Sequence, residues 1–330
     1  ESIVIPSSVV AIEYGAFSST ALTGTLLLPE GLKYVAGFSH TKITNIHFPA
    51  SLEEIGGSAF DGCNSLMCEI SLPESLRKIG YSAFWGSAIK GNLVLPESLD
   101  DIGSQAFCDC KGLTGSLVIP NKITVIRDHA FSYAGFTGTL TLPKGLVTIE
   151  SSAFSSTKFK GELTIPDGVT TIGSSAFSST LFNGTLVLPS ELISLGSSAF
   201  YGCWRLSGVV SIPQNIVAIP SGLFSGCQSI EGLRLHKDVE VIEDEAFGNC
   251  YGITSIVCEA KNPPTINANS FNGVAKDNFT VEVPEASVTK YRNASNWSEF
   301  KRFAAHREFS ISRDLLRTLN DSHSKTFVLR

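Results

Sequence analysis

The sequence is poor in charge and in long apolar runs. Only 17% of its 330 residues are Asp, Glu, Lys or Arg, whereas 43% are hydrophobic, a composition typical of a folded chain and not of a disordered one. No apolar run approaches the roughly 18 residues that a membrane-spanning helix requires, so the sequence predicts no membrane span. A secretory leader is also not visible at its start.

The small net charge of −6 is unevenly distributed. Residues 1–284 carry 16 Lys and Arg against 26 Asp and Glu, while residues 285–330 carry nine against five. An acidic body disfavours nucleic acid as a ligand, because phosphate binding requires a basic surface. The mild, mixed positive charge of the end is typical of a solvated surface.

Self-similarity is the strongest signal in the sequence. A Phe, usually preceded by Ala, recurs every 21 to 24 residues, at Phe17, Phe38, Phe60, Phe84, Phe107, Phe131, Phe154, Phe177, Phe200, Phe224, Phe247 and Phe271. A Pro lies eleven residues before most of them, at Pro6, Pro49, Pro73, Pro96, Pro120, Pro143, Pro166, Pro189 and Pro213. Two alternating apolar residues precede each Pro, and others follow it at +3 and +6, as in Val169 and Ile172.

This pattern predicts a stack of coils. Alternating apolar residues indicate a short strand with one buried face, and Pro ends the strand because it has no N–H for the ladder. A second arm turns the +3, +6 and Phe positions inwards, and the Gly, Ser and Thr residues after Phe reverse the chain. One coil cannot bury its own core, but stacked coils share one, in which the Phe side chains form an internal column.

Two coils carry the strand signature L-x-x-L-x-L, namely Ile230–Leu235 and Ile43–Phe48. Most other coils have one extra residue, often Gly, which predicts a bulge at the entry to the strand. The recurring Leu-x-Ile-Pro followed by Val-x-x-Ile-Gly-x-x-Ala-Phe, as in Pro166 to Phe177, resembles the BspA-type leucine-rich-repeat family over about residues 1–275. The predicted fold class is therefore α/β, a leucine-rich-repeat right-handed solenoid of about twelve coils with a C-terminal helical cap.

The predicted domain organisation has three parts: residues 1–275 as the solenoid, 276–305 as a capping strand and helix, and 306–330 as an appendage or the start of a further module. In the cap, Thr280–Pro284 predicts a strand and Glu285–Phe303 a helix, with a break near Asn293–Asn296 into two short helices. Because the chain opens on Ser-Ile-Val-Ile-Pro in the middle of a repeat, we expect a natural leader or cap to precede it.

Cys and His, which often act in catalysis or bind metals in other proteins, show no such arrangement in this sequence. Five of the eight cysteines lie three residues after a repeat Phe, where other coils have Ser or Thr, so we expect small, buried turn residues with few disulfides. No Cys-x-x-Cys pair and no metal-ligand spacing of His is present. The six His residues, including His236 at a Pro position, are expected on the surface. We therefore predict no enzyme, no metal and no cofactor.

Candidate binding residues lie on two surfaces. The outward positions of the strands are small, β-branched and rich in hydroxyl groups, and the candidate ligand face comprises Thr139, Thr141, Glu162, Thr164, Thr185 and Val187. The composition of this face has two explanations. It reflects only the preference of these residues for strands, or the face binds a protein or an extended peptide. The candidate aromatic anchors lie beside repeat Phe positions, at Trp85, Tyr133, Tyr201 and Trp204, where packing between coils is the alternative explanation.

The resemblance implies a secreted or cell-surface protein of a host-associated anaerobe, since some members of the family are adhesins that bind host proteins. The favoured hypothesis is an adhesin or scaffold with a host or cell-surface protein as its partner. A glycan-binding accessory protein of a surface nutrient-uptake system is the alternative, and it requires accessible Trp or Tyr pairs on one surface. An enzyme with its site after Glu308 is the third hypothesis, for which about 23 residues offer few convergent groups.

Overall fold

The computed structural model describes residues 3–306, which form one continuous stack of parallel-stranded coils. The predicted solenoid is confirmed, with about thirteen turns. The count exceeds the twelve repeat Phe residues because the chain continues past Phe271 and adds strand Thr280–Pro284 to the stack. The predicted segment beyond Glu308, with its short helix at Asp314–Leu319, lies outside the described residues.

Each coil contributes short strands at recurring positions. Within residues 3–306 the strands are, in chain order, β1 (Ala11–Ile12), β2 (Thr23–Leu27), β3 (Tyr34–Val35), β4 (Lys42–His47), β5 (Glu54–Ile55), β6 (Lys78–Ile79), β7 (Lys90–Asn92), β8 (Asp101–Ile102), β9 (Gly112–Thr114), β10 (Leu117–Val118), β11 (Val125–Ile126), β12 (Leu140–Thr141), β13 (Thr148–Ile149), β14 (Thr171–Ile172), β15 (Gly184–Thr185), β16 (Ser194–Leu195), β17 (Leu206–Ser211), β18 (Ala218–Ile219), β19 (Ile230–Leu235), β20 (Val241–Ile242), β21 (Ser255–Cys258), β22 (Thr265–Ile266), β23 (Thr280–Pro284) and β24 (Arg302–His306).

The strands lie on two sides of the stack. Two-residue strands after the Pro positions form the sheets β1-β3-β5-β6-β8, β11-β13-β14-β16 and β18-β20-β22. Strands before the Pro positions form the pairs β2-β4, β7-β9 and β10-β12 and the sheet β15-β17-β19-β21-β23-β24. Pairing is parallel and in register, so that Ile149 lies opposite Ile172, which lies opposite Leu195. Equivalent repeat positions therefore align in columns along the solenoid.

The predicted column of Phe side chains is the centre of the core. Successive repeat rings from Phe17 to Phe271 are stacked, with centroids 5.1 to 5.9 Å apart and planes within 20° of each other. All are buried except Phe17, which is half-buried at the end of the column. Each ring between the two ends of the column thus packs against the coils on both sides of its own, which couples the coils energetically.

A second, shorter column of rings stands beside the first. Phe136, Phe159 and Phe182 stack at centroid distances of 5.1 and 6.0 Å. Each stands edge-on to the repeat Phe five residues before it, at 6.1 to 6.2 Å. The sequence analysis did not predict this column, which fills the width of the core in three consecutive coils.

The turns around the repeat Phe contain residues with a left-handed backbone conformation, which the sequence does not predict. The residues two before and two after Phe have a positive φ in most coils, with values of 50° to 61° where the residue is not Gly. Ser152 and Ser156 bracket Phe154 in this way, and Ser175 and Ser179 bracket Phe177. Residues other than Gly rarely adopt this region, and here hydrogen bonds to the next coil hold it, as from Ser152 N to Ser174 O at 2.8 Å.

The Gly of the recurring Ile-Gly pair permits close contact between coils. A Cβ atom on Gly173 would lie only 2.5 Å from the backbone N of Ser151 in the preceding coil. The N–H of Gly173 donates to Ile149 O at 2.7 Å. A side chain at this position would separate the two backbones and lengthen that hydrogen bond.

The predicted bulge at the entry to the strands is confirmed. The pairing of β2 with β4 shifts register at Gly24, and that of β17 with β19 shifts at Gly208, both with positive φ. The strand side is less continuous than the sequence predicts. Residues 160–170 contain no strand, although Leu163 and Ile165 point into the core as predicted. The alternation of apolar residues therefore reports burial and not strand pairing.

The C-terminal segment departs from the predicted helix. A 3-10 helix (Glu285–Ser287) leads into α1 (Val288–Asn293), and a second 3-10 helix (Trp297–Glu299) follows. The predicted break near Asn293–Asn296 is confirmed, but the prediction of helix as far as Phe303 is wrong. Phe300 is already extended, and Phe303 lies on β24, because the free edge of β23 accepts another parallel strand. None of the helices in residues 3–306 is long and apolar enough to cross a membrane.

Aromatic side chains of this segment close the core beyond Phe271. Phe300 packs edge-on against Phe271 with centroids 5.4 Å apart. The Trp297 indole is buried and donates from Nε1 to Pro264 O at 2.7 Å, and the Tyr291 hydroxyl donates to Ala260 O at 2.8 Å. Open-ended solenoids require such a non-repeating cover over the last coil. The boundaries of the three predicted domains remain a prediction.

Candidate functional site

The six residues of the candidate ligand face are all exposed and lie on three adjoining coils. Thr141 belongs to β12 and Thr185 to β15, whereas Glu162 and Thr164 lie on the coil between them, where residues 160–170 form no strand. The remaining two, Thr139 and Val187, flank the strands; Val187 is 71% exposed. The structure therefore brings the predicted residues to one side of the solenoid, and their role in binding remains a prediction.

Local contacts hold parts of this face in place. Ser116 Oγ accepts hydrogen bonds from the backbone N of Thr139 at 2.9 Å and from its hydroxyl at 3.1 Å. The Glu162 side chain lies over Gly184, whose missing Cβ would approach Glu162 Cγ to 3.1 Å. These contacts order a polar rim beside the exposed β-branched side chains.

An open cleft interrupts the face between Thr141 and Thr164. It has a volume of about 600 Å³, and its walls include Leu142, Lys144 and Asp167. The cleft lies where residues 160–170 form no strand between β12 and β15, so the surface opens where the sheet is interrupted. The arrangement offers hydroxyl groups, one cation and one carboxylate around an apolar floor.

Another cleft, of about 610 Å³, lies near the C-terminal end of the solenoid. Its walls include Val217, Asp238, Glu240, Lys261 and Pro264. Among the described residues no group of three or more His, Cys, Asp or Glu side chains is placed to hold a metal ion. The cleft therefore offers ordinary mixed-charge surface.

The four candidate anchors do not form one cluster. Tyr201 and Trp204 share a coil, while Trp85 and Tyr133 lie on two coils nearer the N-terminus. All four are substantially exposed, between 44% for Trp204 and 54% for Tyr133, so packing between coils does not account for them. The guanidinium of Arg205 lies 4.5 Å from the centroid of the Trp204 ring, a cation–π contact.

Sequence reasoning missed a further exposed ring, Tyr251, which is 59% exposed. Tyr251 follows its repeat Phe by four residues, as Trp204 follows Phe200. Comparison of equivalent repeat positions is the signal that identifies it.

The predicted cysteine position is buried, and its thiols are free. Each of the five thiols donates to the carbonyl oxygen of the repeat Phe one coil earlier, at 3.0 to 3.2 Å, from Cys63, Cys110, Cys203, Cys227 and Cys250. Burial raises the pKa of Cys110 and of Cys250 to about 12. A thiol with a raised pKa and no exposure is a poor nucleophile, so this position is structural.

His236 corrects the expectation that the histidines lie on the surface. It is buried, its Nε2 lies 3.1 Å from Ile216 O, and its Nδ1 accepts from the backbone N of Asp238 at 3.2 Å. The ring occupies the repeat position of Pro, which is buried in several coils, and it makes hydrogen bonds that Pro cannot make. The residue is explained by the turn in which it lies.

The chain is similar to known leucine-rich-repeat proteins in sequence and in structure. The family described as BspA type leucine rich repeat region matches residues 1–114, 34–160, 79–207 and 148–278, with six copies. No curated protein sequence matches the chain. A leucine-rich repeat protein from Bacteroides ovatus ATCC 8483 has a similar structure, with a TM-score of 0.62 and 25% identity over 90% of this chain and 88% of that one.

Two further solved structures match over most of this chain. The pneumococcal vaccine antigen PcpA is 19% identical over 91% of this chain and 78% of that one, with a TM-score of 0.53. A leucine rich cell surface protein from Faecalibacterium prausnitzii A2-165 is 20% identical over 92% and 91% of the two chains, with a TM-score of 0.43. Since the family matches overlap across residues 1–278, the chain belongs to the BspA-type leucine-rich-repeat family.

Proposed function

We propose that the chain is a non-enzymatic binding protein of the cell surface or the extracellular medium, an adhesin or scaffold that presents its strand face to a protein ligand. The observation that carries this proposal is the exposure of all six residues from Thr139 to Val187 on three adjoining coils. They are exposed on a rigid, repetitive support, which is how solenoid proteins present extended binding surfaces.

The character of the face favours a macromolecular ligand. Glu162 is the one charged residue among the six, so electrostatic steering contributes little to association. Exposed Val187 and the Thr methyl groups offer apolar area, and the hydroxyl groups offer hydrogen bonds at its margin. A small molecule is better held by an enclosed pocket with convergent polar groups, whereas the cleft at Thr141 and Thr164 is open.

Membership of the family supports the surface location, because BspA-type proteins are typically secreted or attached to the cell surface. It also supports a host protein as the partner, since some of these proteins are adhesins.

The test is binding of the purified chain to immobilised fibronectin, fibrinogen, laminin and collagen, and to intact cultured epithelial cells. Thr141→Arg combined with Thr164→Glu changes the face without touching the core. We expect this double variant to weaken binding at least about tenfold, a loss of roughly 1.4 kcal/mol, with an unchanged melting temperature.

The matched control places the same two charges directly before β16 and β18, which belong to the sheets formed after the Pro positions. Ile193 and Val217 are exposed there on neighbouring coils, and Ile193→Arg with Val217→Glu should leave binding unchanged. Absence of binding to every protein and to cells, or equal binding by both double variants, would contradict the proposal.

A further inference from the structure

Three consecutive turns near the C-terminal end of the solenoid have the same length and sequence pattern. Each follows its repeat Phe with Cys-x-x-Leu or Cys-x-x-Ile, as in Cys203 to Leu206, Cys227 to Ile230 and Cys250 to Ile253. The residue directly after Cys is Trp204, Gln228 and Tyr251 in the three turns.

Equivalent contacts show that these turns also share one geometry. Cys227 Sγ donates to Phe200 O at 3.1 Å, and Cys250 Sγ donates to Phe224 O at 3.0 Å. The repeat rings of the three coils are 5.6 and 5.9 Å apart. Trp204, Gln228 and Tyr251 therefore form one column, with the two aromatic residues separated by two coil spacings.

The two rings are exposed and are held in position. Trp204 is 44% exposed, lies under the Arg205 guanidinium, and its carbonyl oxygen accepts from Ser229 Oγ at 2.8 Å. Tyr251 is 59% exposed, and its hydroxyl donates to Asn249 Oδ1 at 3.0 Å. A Cβ on Gly273 would lie 3.2 Å from Cε1 of the Tyr251 ring, so the next turn supports that ring. Core packing does not require either ring, because the stacked Phe side chains fill the interior.

We propose that Trp204, Gln228 and Tyr251 form a binding site for a linear, uncharged oligosaccharide, which lies along the solenoid axis. Sugar rings present C–H groups on one face, and these groups pack on exposed indole and phenol rings. Rings two coils apart fit sugars near the two ends of a short oligosaccharide. Gln228 occupies the same position on the coil between them, and its amide, as both donor and acceptor, matches the hydroxyl groups of the intervening sugar.

The composition of the site favours this ligand over an acidic or basic one. Of the three column residues none is charged, and Arg205, which lies on the Trp204 ring, adds a donor for hydroxyl groups. The same repeat position holds Asn64, Lys111 and Lys158 in earlier coils, so the aromatic column is confined to three coils. It lies on the turn after the repeat Phe and is separate in sequence position from the strand face.

The test uses the whole chain with cellohexaose, laminarihexaose, xylohexaose, mannohexaose and chitohexaose as probes, measured by isothermal titration calorimetry. At least one probe should bind. Trp204→Ala and Tyr251→Ala should each weaken that binding about tenfold, and the double variant should abolish it, whereas Trp204→Phe should retain most of it. Melting curves of the variants should match the parent, because both rings are exposed.

Two control variants make the outcome specific. Tyr14 is exposed in the first coil, and Tyr14→Ala should leave oligosaccharide affinity unchanged. The strand-face double variant of Thr141 and Thr164 should also bind normally, which separates this site from the proposed protein-binding face. Failure of all five probes to bind, binding that survives the Trp204 and Tyr251 double variant, or peptide binding that depends on these rings while no sugar binds would overturn the proposal.

Discussion

Cys203 and Phe177 are joined across two coils, because the Cys203 thiol donates to the Phe177 carbonyl oxygen at 3.0 Å. The same oxygen accepts from Thr180 Oγ1, within its own coil, at 2.9 Å. A buried carbonyl group at the turn thus receives a donor from each of two coils. This explains why both Cys and Thr occur at one repeat position, and why the cysteines are structural.

Thiol reactivity is the most direct check of this role. In the native chain at neutral pH, we expect a chromogenic disulfide reagent to modify only the half-buried Cys68 at an appreciable rate, because the other seven thiols are buried. In denaturant, without any reductant, all eight cysteines should react. A shortfall in the denatured count would reveal disulfides and contradict the assignment of free thiols.

Alkaline pH should destabilise the fold. The buried thiols have a raised pKa, about 11 for Cys203 and about 12 for Cys110 and Cys250, against an ordinary value of 9.0. Below the ordinary pKa both folded and unfolded chains carry neutral thiols. Between about pH 9 and 12 only the unfolded chain ionises, so the free energy of unfolding falls by up to about 1.4 kcal/mol per pH unit for each such thiol.

Denaturant unfolding at pH 7, 8.5 and 10 measures this slope. The matched variant is Cys250→Thr, since Thr occupies the same position in other coils and does not ionise. Its slope should be shallower than that of the parent chain. An identical slope in the two proteins would show that the buried thiols do not contribute.

The position of a ring in the Phe column should determine its energetic weight. Phe177 stacks between Phe154 and Phe200 and is fully buried, so Phe177→Ala should cost about 3–5 kcal/mol. Phe17 has one stacking neighbour and is half-buried, so Phe17→Ala should cost clearly less. Thermal and denaturant melts provide both values, and equal losses at the two sites would argue against coupling through the column.

Replacement of Gly173 by Ala should destabilise the fold, whereas replacement of Gly145 by Ala should not. An added Cβ meets backbone N of Ser151 at 2.5 Å in the first case, and its nearest neighbour is Asn121 O at 3.9 Å in the second. Gly173→Ala must separate two coils and should lower the melting temperature by several degrees, as expected for a loss above about 1 kcal/mol. Gly145→Ala is the matched control, and an equal effect of both changes would show that the coils can separate freely.

The sequence was sufficient to predict the features that depend on burial. Repeated Phe positions, the apolar residues around each Pro and the buried cysteines all recur with one period, and a stack of coils is the arrangement that buries them together. The extra Gly before the strands also predicted the bulge at Gly24, because few residues other than Gly adopt a positive φ.

Other features depend on backbone geometry or on comparisons between coils, and they were missed. Ser152 and Ser156 adopt positive φ values although Ser gives no such signal in a sequence. Leu163 and Ile165 keep the alternation of a strand, yet residues 160–170 form none. His236 is buried at a repeat position where other coils have Pro. The end of the predicted helix is instead strand β24, which pairs with the edge of β23. That edge is a feature of the folded chain and has no signal in the sequence. Of the candidate site, sequence reasoning located the exposed face but did not identify Tyr251.

The in-register stacking of equivalent positions has a consequence for how such a chain changes length. The segment from one repeat Phe to the next begins and ends on the same surface, as between Phe154 and Phe177, whose rings are nearly parallel. Recombination that removes or duplicates one such segment rejoins matching coils. The length of the solenoid then changes by one coil, while its cross-section stays constant. Distances between ligands bound on different coils would then change in steps of one coil.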